Sequence, residues 1–235
     1  MNVLVTGASR GIGRAISAVL ADEGYNLLLV ARNGERLRAS TQDIKERGKG
    51  AIYYLACDLA DLQEIERLYR YSRSVDFKPD VLVLNAGIFI EGALTSKPTD
   101  AFDETLRMNF LSAVHTVRVF IDDLRNSSDK RRIILISSTA AHEPYPIGAL
   151  YGVAKWALRG YAINLREELK HERIGVTLIS PGGTLTDLWA GEELPPRRLL
   201  EPSDIALLVR AVLSLSEQAV VEDLIVRPML GDIHS

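Results

Sequence analysis

Val3-Leu4-Val5-Thr6-Gly7-Ala8-Ser9-Arg10-Gly11-Ile12-Gly13 stands almost at the start of the chain, and its reading decides the fold. An apolar, β-branched run passes into glycines and then into a helical pattern. That is the order of a strand, a phosphate-binding turn and a helix N-terminus. The glycines are spaced G-x-x-x-G-x-G rather than the commoner G-x-G-x-x-G. The demands are similar: a tight turn, close approach of backbone to a pyrophosphate, and unpaired N–H groups at the helix start. Far downstream, Tyr151 and Lys155 are four residues apart, so phenol and ammonium share one helix face. A cation beside a phenol favours the phenolate and draws its reference pKa of about 10 toward neutrality. A nucleotide cradle combined with a tuned Tyr acid/base implies hydride transfer between a nicotinamide and a carbonyl or alcohol.

Working outward, short apolar runs alternate with longer helical stretches, which predicts a parallel sheet with crossover helices. Strands are expected at residues 3–6, 27–31, 52–56, 81–84, 133–137, 175–180 and 224–226. Helices are expected at 12–23, from Asn33 to about 47, and over 62–73, 99–125, 150–172 and 203–215. No internal repeat, low-complexity tract or interdomain linker interrupts this pattern. The expectation is one doubly wound Rossmann domain over residues 1–235, a mostly parallel sheet of about seven strands with helices on both faces.

The end of the second strand should meet the adenosine ribose, where an NAD site usually places a carboxylate. This chain has Ala31-Arg32-Asn33 there. Arg32, with Arg10 from the glycine turn, could grip a 2′-phosphate by forked hydrogen bonds, so NADP(H) is favoured over NAD. Asp58, with Leu59 beside it, either bonds the adenine edge or caps the next helix. Asn85-Ala86-Gly87 would line the cleft under the ribose. Ser138, at the end of the fifth strand, is placed to bond the substrate oxygen, while Tyr151 donates or accepts the proton and Lys155 tunes it and holds ribose hydroxyls.

Thr6-Gly7-x-x-x-Gly11-x-Gly13, Asp58, Asn85-Ala86-Gly87, Asn109, Ser138, Tyr151-x-x-x-Lys155 and Pro181-Gly182 together resemble the short branch of the short-chain dehydrogenase/reductases. The motifs occur in the family's order from residue 3 to at least 186, with 13 positions from Ser138 to Tyr151. The resemblance implies a helix kink at Asn109, whose backbone holds a water linking Lys155 to solvent as a proton relay. It also implies a cofactor-binding set that adds Ser9, Ile12, Pro181, Gly182, Thr184 and Thr186 to the residues above, Thr186 bonding the nicotinamide carboxamide. In this branch Ala-Arg after the second strand goes with NADP. The family often has Asn-Asn-Ala-Gly, where this chain carries Leu84 in place of the first Asn. Members commonly form tetramers through helices corresponding to 101–125 and 150–172, and Leu106, Phe110, Val114, Val117 and Ile121 form an apolar stripe in the first of these.

Loops at the carboxyl ends of the strands should build the substrate pocket from Phe89, His142, Tyr145, Leu188 and Trp189, mostly apolar or aromatic. His142 and Glu143 are either recognition groups or solvated loop residues, and His115 reads as structural. The stretch from Thr186 to Pro202 is short for a substrate lid and predicts an open cleft. A hydrophobic content of 47%, 25% charged residues and a net charge of −3 describe a globular protein with no feature calling for nucleic acid or an anionic membrane. Cys57 is the only cysteine, no apolar run reaches the roughly 18 residues of a membrane span, and no metal is invoked. Met1 is followed at once by the first strand, leaving no room for a signal peptide, so a cytoplasmic homo-oligomer acting on a small carbonyl or alcohol is expected. Alternatives are an NADP-dependent dehydrogenase of 3-hydroxy acids or serine, and a non-catalytic NADP-binding module. A carboxylate substrate would want a cation that residues 139–154 and 181–196 lack, and a sensor would not need the Ser–Tyr–Lys set.

Overall fold

A computed structural model describes residues 1–233. Its core is a seven-stranded, entirely parallel sheet in the order β3-β2-β1-β4-β5-β6-β7. The strands are β1 (Asn2–Thr6), β2 (Asn26–Ala31), β3 (Ile52–Ala56), β4 (Val81–Leu84), β5 (Arg132–Ile136), β6 (Gly175–Pro181) and β7 (Asp223–Val226). Strand alternation sends Leu4, Leu28, Val30, Leu82 and Leu84 to one face, against α3 (Leu62–Ser74), α5 (Ser112–Asn126) and α6 (Ala149–Leu169). Val3, Val5, Leu27, Leu29, Val81 and Val83 go to the other, against α1 (Gly11–Asp22), α2 (Gly34–Arg47) and α7 (Pro202–Ser214). Both faces are covered, so the central strands are built mostly of buried apolar residues. Only β7, at the edge, alternates exposed and half-buried residues.

The strand order reverses between β1 and β4, and the crevice beyond their carboxyl ends is where such a sheet takes a ligand. Thr6 joins the two strands there. Its buried hydroxyl accepts from the backbone N–H groups of Asn85 (2.9 Å) and Ala86 (3.1 Å). The Asn85 amide donates to Thr6 O at 3.2 Å. Leu84, where the family often has Asn, is instead part of the core.

One expected element differs. Residues 99–125 do not form a single α-helix: α4 (Thr99–Leu106) leads into a π-helical turn, Arg107–Leu111, before α5. In the sequence the stripe Leu106, Phe110, Val114, Val117 and Ile121 keeps plain helical spacing across that turn, so periodicity alone conceals it. Within the stripe Val117 is buried in the molecule's own core. The expected helix at 150–172 ends as α6 at Leu169 and finishes in a 3₁₀ turn, Lys170–Glu172, closed by Arg173 in the left-handed region at φ 57°. No helix among the described residues is long and apolar enough to cross a membrane.

Candidate active site

A cleft of about 950 Å³ runs along the carboxyl ends of the strands. One end is built by the glycine turn. Gly7 and Gly11 take positive φ values of 68° and 52°, where a side chain is strained. A Cβ at Gly13 would stand 2.6 Å from Asn85 Nδ2 and closer still to Gly7 O, so Gly13 packs helix against strand rather than lining the cleft. No side chain caps α1, whose first N–H groups are left for a ligand. Ser137 Oγ, in the same cleft, is buried without a protein hydrogen-bond partner. Bare backbone, an uncapped helix and a spare hydroxyl suit a phosphorylated dinucleotide.

Gly7, Ser9, Arg10, Gly11, Ile12, Ala31, Arg32, Leu59, Asn85, Ala86, Gly87, Pro181, Gly182, Thr184 and Thr186 all line this cleft. Asp58 does not; its carboxylate accepts from Ala60 N at 3.0 Å in the loop before α3, and the cap of that helix is Asp61, which accepts from Gln63 N at 2.8 Å, so neither reading of Asp58 holds. Asn33 caps α2 by accepting from Arg36 N at 2.8 Å, which aims Arg36 into the cleft mouth beside Arg10 and Arg32. Arg36 was hidden in the sequence because it belongs to the first turn of a helix, five residues past the strand end. Arg10 and Arg36 both reach Asp187 Oδ2, at 2.7 and 3.3 Å.

The other end of the cleft holds Ser138, Tyr151 and Lys155. Tyr151 is hydrogen-bonded to the Ser138 side chain. Phe89 packs edge-on against the Tyr151 ring at 5.5 Å between centroids, and Tyr145 is 6.3 Å away. Lys155 is buried, donates to Ile136 O at 3.1 Å, and lies 5.4 Å from the centre of the Tyr151 ring. Burial pushes the Tyr151 phenol up to about 12, with the Ser138 hydrogen bond drawing it back, and burial pushes Lys155 down to about 8. The expected lowering of the phenol by Lys155 therefore does not dominate: removal from water opposes both charged forms.

Asn109 is held by the π-helical turn. Its Oδ1 accepts from Ile88 N at 3.1 Å, and its Nδ2 donates to Ile88 O at 2.9 Å and Thr105 O at 3.0 Å. The buried amide thus fixes the loop after β4, and the helix distortion implied by the family resemblance is present.

Phe89, Tyr145, Leu188 and Trp189 line the cleft as expected, but His142 does not. His142 Nε2 lies 2.9 Å from Ser180 Oγ and 3.9 Å from Asp223, bracing β6 and β7, while Glu143 pairs with Arg227 at 2.8 Å. Two polar groups read as possible recognition residues are thus used to hold the sheet edge. His115 is half-buried in α5, away from the cleft lining. The short lid is supplemented by the C-terminal segment. Asp232 and Ile233 line the cleft, Asp232 accepts from Gly183 N at 3.2 Å and pairs with Arg227, and Arg198 donates to Gly231 O (2.7 Å) and Asp232 O (3.1 Å). Nothing in the composition of residues 227–233 marks this role.

A switch-point cleft with a glycine cradle at one end and a Ser–Tyr–Lys set at the other defines a nucleotide-dependent oxidoreductase of the doubly wound class. The chain belongs to the short-chain dehydrogenase family, whose model, described as short chain dehydrogenase, matches residues 1–195. It is 28% identical over 226 residues to an uncharacterized oxidoreductase of Staphylococcus saprophyticus, covering 96% of each chain. Among solved structures it is similar to an alcohol dehydrogenase from the archaeon Thermococcus sibiricus complexed with 5-hydroxy-NADP, with a TM-score of 0.91, 27% identity and coverage of 100% of this chain and 99% of that one. A metagenomic short-chain oxidoreductase in complex with NADP gives a TM-score of 0.82 and 31% identity, with 97% of both chains covered.

Proposed function

We propose that this protein is an NADP(H)-dependent oxidoreductase that interconverts a small, largely apolar carbonyl compound and its secondary alcohol. The observation that carries the reading is the Tyr151–Ser138 hydrogen bond beside buried Lys155, in the same cleft as the glycine cradle. Arg10, Arg32 and Arg36 at the cleft mouth, and the lack of a carboxylate at the end of β2, support the 2′-phosphorylated cofactor. The fit also draws support from the NADP-type ligands of the two similar structures.

When bound, the nicotinamide supplies or takes up the hydride. Ser138 donates a hydrogen bond to the substrate oxygen and fixes its position. In reduction Tyr151 gives its phenolic proton to that oxygen as the C–H bond forms; in oxidation the tyrosinate takes it back. The ammonium of Lys155 stabilises the tyrosinate and binds ribose hydroxyls, and Asn109, through the distorted helix it anchors, serves the proton path from Lys155 to solvent. Phe89, Tyr145, Leu188 and Trp189 exclude water around the reacting carbon.

A dehydrogenase of hydroxy acids is less well supported, because the substrate end carries the carboxylate of Asp232 and no cation other than Lys155 among the described lining residues. Exposed Val153, Trp156 and Ile163, one face of α6 with open space over Gly160, support pairing with a second copy through that helix. Initial rates of NADPH and NADH oxidation against aldehydes, ketones and keto acids test the activity. Tyr151→Phe is expected to lower turnover about a hundred- to ten-thousandfold while NADPH still binds. Turnover retained by that variant removes Tyr151 from the proton-transfer role.

A further inference from the structure

Asp187 is the first residue of the 3₁₀ turn Asp187–Trp189, capped by Thr186 and followed by the pocket-lining Leu188 and Trp189. One of its oxygens, Oδ2, accepts from Arg10 of the glycine turn at 2.7 Å and from Arg36 of α2 at 3.3 Å. These three residues come from segments separated by 177 and 151 positions, and all line the mouth of the cleft. Two guanidiniums directed at one anionic oxygen form an anion site, and in the free protein the anion is the chain's own carboxylate. Asp187 is held below the usual carboxylate range chiefly by its hydrogen bond to Arg10, so it remains charged at neutral pH.

We propose that Asp187 sets coenzyme selectivity by occupying the Arg10–Arg36 pair in competition with the 2′-phosphate of NADP(H). This rests on the NADP(H) reading above. A dianionic phosphate offers more oxygens and more charge to two guanidiniums than one carboxylate does. The exposed Asp187 pairs are weak enough to yield, each about half open to solvent. The carboxylate therefore lowers the affinity for the phosphorylated cofactor without abolishing it.

The test is calorimetric titration of the wild type and Asp187→Asn with adenosine 2′,5′-bisphosphate and with adenosine 5′-monophosphate, which lacks the 2′-phosphate. The variant is expected to bind the bisphosphate about fivefold more tightly, and the monophosphate within about twofold of wild type. Weaker or unchanged binding of the bisphosphate, or an equal gain for both ligands, overturns the competition. If the wild type itself does not prefer the bisphosphate, the NADP(H) reading fails and this proposal with it. A wild-type preference left unaltered by Asp187→Asn defeats the proposal alone.

Discussion

Lys155 and Tyr151 are both buried where charge is disfavoured, and their pKa values move in opposite directions with opposite consequences for stability. Lys155 falls from 10.5 to about 8 on folding, so the unfolded chain binds more protons between those values. Wild-type stability therefore rises with pH across that window and is lost as pH falls through it. Lys155→Met removes the buried charge. The variant is expected to be more stable than wild type at about pH 7, with an advantage that shrinks toward about pH 10, as urea midpoints at the two pH values will show. Tyr151 contributes the reverse slope higher up, from the ordinary 10.0 to about 12, because its folded form holds the proton longer. The closeness of this pair on one helix face is legible in the four-residue spacing. The dominance of burial over the Lys–Tyr attraction is not, since it depends on Phe89 and Tyr145 closing over the ring from distant segments.

At the scale of elements, strands and crossover helices are legible because the sheet is covered on both faces and apolar runs have no other use. The π-helical turn at Arg107–Leu111 is not, because the apolar residues on either side of it keep plain helical spacing in the sequence. Its reason is Asn109, which needs both polar ends of its amide at Ile88. Asn109→Leu leaves Ile88 N–H and the Thr105 carbonyl without this partner. It is expected to destabilise the fold by about 1–3 kcal/mol by chemical denaturation, and to lower turnover at saturating NADPH further than the loss of folded protein explains. Arg36 and the C-terminal segment were equally illegible: the Asn33 cap can be read in the sequence, but the side of the cleft to which it turns Arg36 cannot, and the Arg198 and Arg227 contacts have no sequence signature.

For the whole molecule, the open question of assembly falls on α6, which turns Lys155 toward the cleft and Val153, Trp156 and Ile163 outward. Sedimentation is expected to give an oligomer for the wild type and a smaller species for Trp156→Glu, because a carboxylate introduced on a self-pairing face meets its own copy. A single species of monomer mass for the wild type at micromolar concentration discounts the pairing.

The segment that returns from β7 to Gly183 makes the carboxyl end of this chain a working part rather than a trailing one. A change within residues 227–233 would act on a wall of the cleft, whereas β1 starts on the far rim of the sheet. Grafting residues 227–233 between relatives therefore becomes a route to reshaping this wall, and because Asp232 holds Gly183 such a graft reaches the cofactor-side loop as well.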